Sequence, residues 1–261
     1  MANIQQITLF ILYTCYFFGV RSEFNREVSA RVQDFIADYL EIVTRSAYVP
    51  YNCITYGNVA VNLSRPLETS MKLLYQSKTS FPESSSIYIG FETGLFYGYI
   101  VQTYQVVAVP ATKKLIAYSL NRNGSAGHIV SSSSFDPRTR PWYIGPKNAK
   151  GPTWIPAYIS AATGTSLFSF GIPLYLNTSG TTKTLIGVLS VAAYLTDLTN
   201  FLVKAYQNTD KQVFIVEAAS GQLMASTLGI PVNVKSSTGV LVRIKSSFAR
   251  SPLFIHCVFI L

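Results

Sequence analysis

Two arginines, two prolines and an adjacent Trp-Tyr pair share positions 135–143, which read Phe-Asp-Pro-Arg-Thr-Arg-Pro-Trp-Tyr. Arg140 offers a planar guanidinium that can pair with both oxygens of a carboxylate. The neighbouring Trp142 and Tyr143 can supply apolar walls, a phenolic hydroxyl and a ring face that attracts a cation. This combination predicts a binding site for a small organic ligand.

The same run also has structural interpretations, which stay open at this point. Asp136 followed by Pro137 is typical of a turn, and Arg138 is near enough to pair with Asp136. The two aromatic residues can equally fill a core, and Arg140 can serve a structural ion pair or cap backbone carbonyl groups.

The sequence contains no catalytic or metal-binding pattern. Its 2 His, 3 Cys and 12 acidic residues have no metal-type or disulfide-type spacing, and it lacks a Gly-x-Ser-x-Gly elbow and a phosphate-binding loop. We interpret the serine run 131–134 and the segment 164–166 as turns, because no general base lies at a motif spacing. His128 is interpreted as a loop or half-exposed residue rather than a ligand. We therefore predict no enzymatic activity, no metal and no cofactor.

Composition and charge indicate a folded chain. A length of 261 residues with 49% hydrophobic residues can bury one large core or two modest ones. The net charge of +9 comes from scattered Lys and Arg residues without a basic stripe. We therefore expect a diffusely charged surface and no nucleic-acid partner.

Residues 7–20 form an apolar run that is followed by an arginine. The run is shorter than the roughly 20 apolar residues that a spanning helix needs, and it fits the core of a secretory signal. Segment 1–22 is therefore predicted to be a signal peptide, with a retained signal anchor as the alternative. Both interpretations place the rest of the chain outside the cell or in the secretory lumen. Three glycosylation sequons agree with export: they begin at Asn62, Asn123 and Asn177.

A long amphipathic helix is the clearest element, because apolar residues recur every three or four positions over 24–43. A second helix is predicted over 67–76, with Ser64 as its cap and Pro66 in its first turn. Strand and turn patterns follow, and Gly94 can take the positive φ of a tight hairpin. The predicted strands cover residues 87–90, 95–100, 104–109, 115–120, 168–176 and 184–192. This order predicts an α+β fold with helices on one face of an antiparallel sheet.

A short helix that begins near Thr196, its predicted cap, separates this region from a second strand-turn-strand pattern over 213–225. The pattern is like the earlier hairpin, so we expect a second unit of the same kind to start there. Only roughly 50 residues follow position 207, about half of what such a unit needs, and the unit is therefore predicted to be incomplete. The apolar ending 254–261 is interpreted as an edge strand, as the start of a membrane helix or, preferably, as sequence from a truncated or misassembled gene model.

The run 135–143 resembles the Asp-Pro-Arg-x-Arg-Pro-Trp-Tyr signature of double Cache sensor domains, which belong to a PAS-like superfamily. With the patterns at 87–98 upstream and 187–198 downstream, the resemblance covers residues 24–230 approximately. It implies a long N-terminal helix, a membrane-distal PAS-like sheet that binds small molecules, and a membrane-proximal PAS-like unit. In the family, a transmembrane helix then passes the signal to a kinase, cyclase or chemotaxis output.

The resemblance implies that Arg140, Trp142 and Tyr143 contact the ligand. Tyr158 matches a second tyrosine that amino-acid-binding members of the family use. Tyr118, on the strand before the next turn, is a further ligand-binding candidate.

Amino-acid-binding members also use an aspartate that holds the ammonium of the ligand, and Ala192 stands at this position here. A charge-assisted hydrogen bond contributes about 1.5–3 kcal/mol, so its loss predicts α-amino-acid binding weaker by about tenfold or more. The sequence therefore favours a small carboxylate or another organic molecule as the ligand.

Together these patterns predict the extracellular small-molecule sensing domain of a transmembrane receptor of chemoreceptor, kinase or cyclase type, located at the cell membrane. The alternative is a secreted or surface interaction module that uses the fold as a scaffold without small-molecule sensing. The expected partners are a small-molecule ligand, the membrane, through the leader or a C-terminal span beyond this sequence, and a second copy through the N-terminal helix. The predicted segments are the leader 1–22, the helix and membrane-distal unit 23–207, the start of the membrane-proximal unit 208–245 and the apolar tail 246–261.

Overall fold

The structure is a computed structural model that describes residues 22–56, 66–82, 86–100, 105–109, 114–161, 163–179, 182–208, 213–245 and 256–260. The leader up to residue 21, the sequon at Asn62 and the predicted cap Ser64 lie outside these residues. The chain divides into two compact units. The central unit comprises Leu40–Pro156 and Ser169–Ala193, and the terminal unit comprises Met1–Tyr39, Ala157–Phe168 and Tyr194–Leu261.

The long N-terminal helix, α1, covers Ser22–Thr55 and confirms the amphipathic pattern. Its buried positions recur every three or four residues, as an apolar stripe on one helix face requires. They include Val28, Val32, Ile36, Leu40, Val43 and Ala47. The second helix, α2, covers Pro66–Ser80 and buries Leu73 and Leu74. Among the described residues, no helix has both the length and the apolar character that crossing a bilayer requires.

Eight strands form the main sheet. They are β1 Ser86–Phe91, β2 Phe96–Ile100, β3 Gln105–Val109, β4 Lys114–Leu120, β5 Ala126–Ser134, β6 Thr153–Ile159, β7 Ser166–Ser179 and β8 Thr182–Tyr194. Their order in the sheet is β5-β4-β3-β2-β1-β8-β7-β6. The strands from β5 through β1 to β8 pair antiparallel. The long helix and this sheet confirm the predicted α+β class.

The first hairpin of the sheet forms as predicted. Gly94 has a φ of +86° in the turn between β1 and β2, a conformation that glycine adopts without the cost that a Cβ would bring. Both strands are buried along their whole length. Strands with two buried faces lie in the interior of a sheet, which agrees with their central place in the strand order.

Among the strands and α-helices of the first 160 residues, three were not predicted from the sequence. The serine run 131–134, interpreted as a turn, is instead the end of β5, whose residues are almost all exposed. His128, predicted to be a loop or half-exposed residue, also lies on β5, and it is exposed. The other two elements are β6 and α3, which covers Pro141–Ala149. The serine run was missed because it has no apolar alternation, although β5 is an edge strand that needs none.

Helix α4 covers Leu195–Tyr206 and agrees with the predicted short helix, but the predicted cap is wrong. The N-cap residue is Tyr194, without a side-chain capping bond, and Thr196 lies inside the first turn. Asp197 in this turn accepts a 2.8 Å hydrogen bond at Oδ2 from the hydroxyl of Tyr39 on α1. An acidic side chain there also interacts favourably with the helix dipole.

The remaining strands belong to the terminal unit. They are β9 Val213–Glu217, β10 Leu223–Ser226, β11 Asn233–Lys235, β12 Leu241–Arg243 and β13 His256–Ile260. The hairpin of β9 and β10 confirms the second strand-turn-strand pattern. Strand β13 pairs parallel to β9, which agrees with the edge-strand interpretation of the tail. The predicted segment boundaries stay a prediction.

Candidate functional site

The first half of the signature folds as a capped turn. Asp136 caps the 3-10 helix Pro137–Thr139, and its Oδ1 accepts a 2.9 Å hydrogen bond from the backbone N–H of Arg138. The guanidinium of Arg138 donates to both carboxylate oxygens of Asp136, at 2.9 and 2.8 Å. It also donates to the backbone carbonyl of Glu92, at 3.2 Å. The predicted Asp136–Arg138 pair is thus confirmed, and it joins the signature to the β1–β2 turn.

Trp142 is a core residue of the central unit, with only 5% of its surface exposed. The centroid of its ring lies 4.7 Å from that of Tyr88 and 5.6 Å from that of Phe96, on the first two strands. Gly90 makes room for it, because a Cβ at this position would lie 2.8 Å from Cη2 of Trp142. These contacts match the structural interpretation, and the ligand contact of Trp142 stays a prediction.

Tyr143 is fully buried, and its hydroxyl donates a 2.8 Å hydrogen bond to Oε1 of Glu92. The ammonium of Lys147 on α3 donates to both oxygens of the same carboxylate, at 2.8 and 3.0 Å. Burial raises the pKa of Glu92, but the hydrogen bonds from Lys147 and Tyr143 outweigh it and hold this pKa below its ordinary value. Burial and the carboxylate raise the pKa of Tyr143. Glu92 is therefore ionised and Tyr143 remains a hydrogen-bond donor at neutral pH.

Glu92 and Lys147 were not identified from the sequence as members of the site. They are 55 residues apart, and Glu92 was interpreted only as part of a turn. No spacing rule links the Glu-Thr-Gly turn at 92–94 to a lysine on α3. Glu92 lies in the turn between β1 and β2, and only the tertiary fold brings its carboxylate to Tyr143 of the signature.

Arg140 differs from the other charged residues of the signature. It is half-buried and occupies the N-cap position of α3, with an extended backbone. Its Cζ lies 4.8 Å from the ring centroid of Phe135. Its Nε is buried, and within the described ranges no group accepts a hydrogen bond from it. A buried donor of this kind is costly unless a water or a ligand accepts from it.

The two remaining candidates are both half-buried. Tyr118 lies on β4 in the central unit, where the register against β5 shifts between Ala117 and Tyr118. Tyr158 lies on β6, in the part of the strand that belongs to the terminal unit. Arg140, Trp142, Tyr143 and Tyr118 thus belong to one unit, and Tyr158 to the other. The ligand-binding roles of all five residues stay predictions.

The carboxylates of the central unit are engaged wherever their side chains are described. Asp136 pairs with Arg138, Glu92 with Lys147, and Glu41 on α1 with the residue four positions later, at 3.5 Å. Ala192 lies fully buried on β8 opposite Ser86. Within the described part of this unit, no carboxylate is therefore left to hold an ammonium group, and the described residues contain no metal-type cluster of His, Cys, Asp or Glu.

No family model matches the sequence. Among solved structures, the chain resembles the sensory domain of the Campylobacter jejuni chemoreceptor Tlp3, with 14% identity, a TM-score of 0.53, and coverage of 79% of this chain and 70% of that chain. The ligand-binding domain of Tlp3 in complex with L-valine is 14% identical with a TM-score of 0.52, and the match covers 79% of this chain and 69% of that chain. The ligand-binding domain of Mlp24 with asparagine is 17% identical with a TM-score of 0.52, and the match covers 79% of this chain and 70% of that chain.

A curated relative is Adenylate cyclase 1 of Rhizobium meliloti (strain 1021), which is 24% identical over 179 residues. The match covers 60% of this chain and 26% of the cyclase, so the chain spans about a quarter of that relative. The structural likenesses show the fold. The chain has the fold of chemoreceptor sensory domains, and the predicted resemblance to Cache-type sensors is confirmed at this level.

Proposed function

We propose that the chain is the extracellular small-molecule sensing domain of a transmembrane signalling receptor, with Arg140 as the residue that binds the ligand. The observation that carries the proposal is the buried Nε of Arg140, which finds no acceptor among the described residues. Arginine presents parallel donors that fit a carboxylate, and the guanidinium carbon of Arg140 lies over the ring of Phe135. The fold supports a sensing function only as an analogy.

The proposed ligand is a small carboxylate that needs no ammonium group for recognition. The described carboxylates of the central unit are already paired, and Ala192 cannot supply a charge. The related structures contain L-valine and asparagine, so α-amino acids are the contrasting ligand class. Trp142, Tyr143 and Tyr118 are proposed as secondary contacts, with the aromatic pair of the signature acting mainly as the wall behind Arg140. Tyr158 stays a separate candidate in the terminal unit.

The proposed receptor has its sensing domain outside the cell membrane, after a leader over 1–22, and glycans at Asn62, Asn123 and Asn177. The cyclase relative supports a cyclase-type output among the alternatives of kinase, cyclase and chemotaxis output. A homodimer through α1 is part of the proposal. The domain itself is proposed to be non-enzymatic and to need no cofactor.

One observation favours the scaffold alternative. Trp142 packs against core residues, and the hydroxyl of Tyr143 is hydrogen-bonded to Glu92. The signature can therefore serve the stability of the fold alone. A secreted or surface module of this kind would bind none of the small molecules tested below.

Replacing Arg140 with alanine is expected to weaken carboxylate binding by about 10- to 100-fold, because one or two charge-assisted hydrogen bonds are lost. Titration calorimetry on the purified chain with a panel of small carboxylates measures the change. Arg140→Lys should recover only part of the affinity, since an ammonium cannot pair with both oxygens. Arg122→Ala, which removes an exposed guanidinium from the β4–β5 turn, is the matched control and should bind like the wild type. Equal binding by wild type and Arg140→Ala would remove Arg140 from the site.

A carboxylate and its 2-amino derivative are expected to bind with affinities within about threefold of each other, because the described carboxylates of the central unit are already paired. The measurement is a calorimetric comparison of pairs that differ only in this group. An amino derivative that binds more than about tenfold tighter would contradict the proposed ligand class and indicate an acidic partner for the ammonium.

A further inference from the structure

Helix α1 contains a proline in its interior, at Pro50, which is buried. Proline has no backbone N–H, so the carbonyl of the residue four positions earlier, Ser46, loses its helical donor. Ser46 is fully buried, and water cannot readily replace that donor. A buried carbonyl without a partner costs free energy, so the position needs another donor.

The missing donor comes from the neighbouring helix. The hydroxyl of Ser77 on α2 donates a 2.7 Å hydrogen bond to the carbonyl oxygen of Ser46. Ser77 is itself 1% exposed, so the bond is shielded from water. Because Ser77 is buried, its hydroxyl can donate only to a group within the protein. The acceptor is the Ser46 carbonyl, which has no helical donor because residue 50 is a proline.

A second feature that favours bending of the helix is a side-chain hydrogen bond in the same turn. The hydroxyl of Ser46 donates a 2.7 Å hydrogen bond back to the carbonyl of Val43. Back-bonding of this kind weakens and bends helices, and prolines are the commonest cause of helix kinks. Two independent features therefore weaken the helical hydrogen bonding over residues 43–50, which we call the joint.

We infer that this joint is a latched hinge in α1, with the hydroxyl of Ser77 as the latch. While the latch is closed, α2 fixes the last turns of α1. When Ser77 turns away, the Ser46 carbonyl loses its partner, and α2 no longer holds this turn of α1 by a hydrogen bond. The hinge requires no ligand, so it stands or falls independently of the proposed carboxylate site.

The latched turns contact the far edge of the sheet. Tyr48 on α1 lies 6.0 Å from Phe170 on β7, measured between ring centroids, and Trp154 on β6 lies 5.1 Å from the same ring. A change in the direction of α1 at the joint would therefore reach β6 and β7 through these rings. All of these residues belong to the central unit.

A double-mutant cycle on the full chain tests the latch, with chemical denaturation as the readout. Ser77→Ala is expected to raise the unfolding equilibrium constant by about tenfold or more, because the carbonyl is left buried and unpaired. In the Pro50→Ala background, the new N–H at position 50 can bond to Ser46, and the same change should cost less than about threefold. Thr79→Ala is the control, since Thr79 makes a comparable but exposed bond to the backbone of α2.

Each outcome decides the inference. A coupling between positions 50 and 77, with no coupling between 50 and 79, supports the latch. Equal cost of Ser77→Ala in both backgrounds, or no cost in the wild type, overturns it. If Ser77→Ala alone does not fold, recovery of folding in Pro50→Ala/Ser77→Ala supports the latch and failure to recover overturns it. Faster amide exchange over residues 51–55 in Ser77→Ala, with 26–43 unchanged, is expected for a released hinge.

Discussion

Replacing Arg243 with alanine is expected to lower the free energy of unfolding by about 3–5 kcal/mol, because it leaves the carboxylate of Glu217 buried without its cation. Nη1 of Arg243 lies 3.0 Å from Oε2 of Glu217, and the two side chains are only 4% and 6% exposed. Screening by solvent is weak at such burial, and removing one partner of a buried pair costs far more than removing an exposed one.

The pair is also the centre of a hydrogen-bond network in the terminal unit. Arg243 donates to the carbonyl oxygens of Ala157, at 3.2 Å, and Leu223, at 3.0 Å. Glu217 accepts from the N–H of Ala157, at 2.9 Å, and from the hydroxyl of Ser220. Hydrogen bonds from this ion pair therefore connect strands β6, β9, β10 and β12, and removing Arg243 should destabilise all four strands.

Urea denaturation followed by circular dichroism measures the change, and amide exchange on β9 and β10 locates it. Arg45→Ala is the matched control, because Arg45 pairs with Glu41 on the exposed face of α1, where both side chains are about two-thirds exposed. It should change stability by less than about 0.5 kcal/mol. An Arg243→Ala variant as stable as the Arg45→Ala variant would show that the buried network contributes little.

Replacing both partners, as Glu217→Leu with Arg243→Met, should cost less than either single truncation. Apolar residues of similar volume leave no unpaired charge behind. Nε of Arg243 finds no acceptor within the described residues, so the desolvation of this side chain is incompletely offset in the native protein. A double variant that is less stable than both single variants would indicate that the polar bonds to the strand backbones, rather than the charge pair, provide the stability.

The sequence could not predict this pair, because local patterns carry no information about it. Glu217 ends an apolar strand, and Arg243 lies 26 residues later in a region to which no element was assigned. Periodicity identifies which face of an element is buried, but the partner of a buried charge depends on how strands are paired across long separations. The same reason explains why the link from Glu92 to Lys147 was missed.

The elements that were predicted correctly are those with strong local signals. Helix α1 has a regular apolar stripe, and the β1–β2 hairpin has a glycine at the position of positive φ. Helix α3 was missed because it contains Pro146 and begins at a proline, and both residues are typical of turns. The joint at Pro50 was missed because the apolar pattern was followed only over 24–43 and ended before the proline, whereas the helix continues to Thr55.

Replacing Trp142 with alanine is expected to cost about 3–5 kcal/mol of unfolding free energy, because the cavity would be lined by Tyr88 and Phe96 and could not close fully. Trp142→Phe should cost clearly less, since a phenyl ring keeps part of the stack against both residues. Thermal denaturation of the two variants tests the order. The result also separates the two interpretations of the signature: a core residue loses stability with or without ligand, whereas a ligand wall would lose affinity and keep its stability. A stable Trp142→Ala protein with weakened carboxylate binding would show that the indole faces the ligand. Trp142 and Arg140 would then both contact the ligand, and Trp142 would not be part of the core.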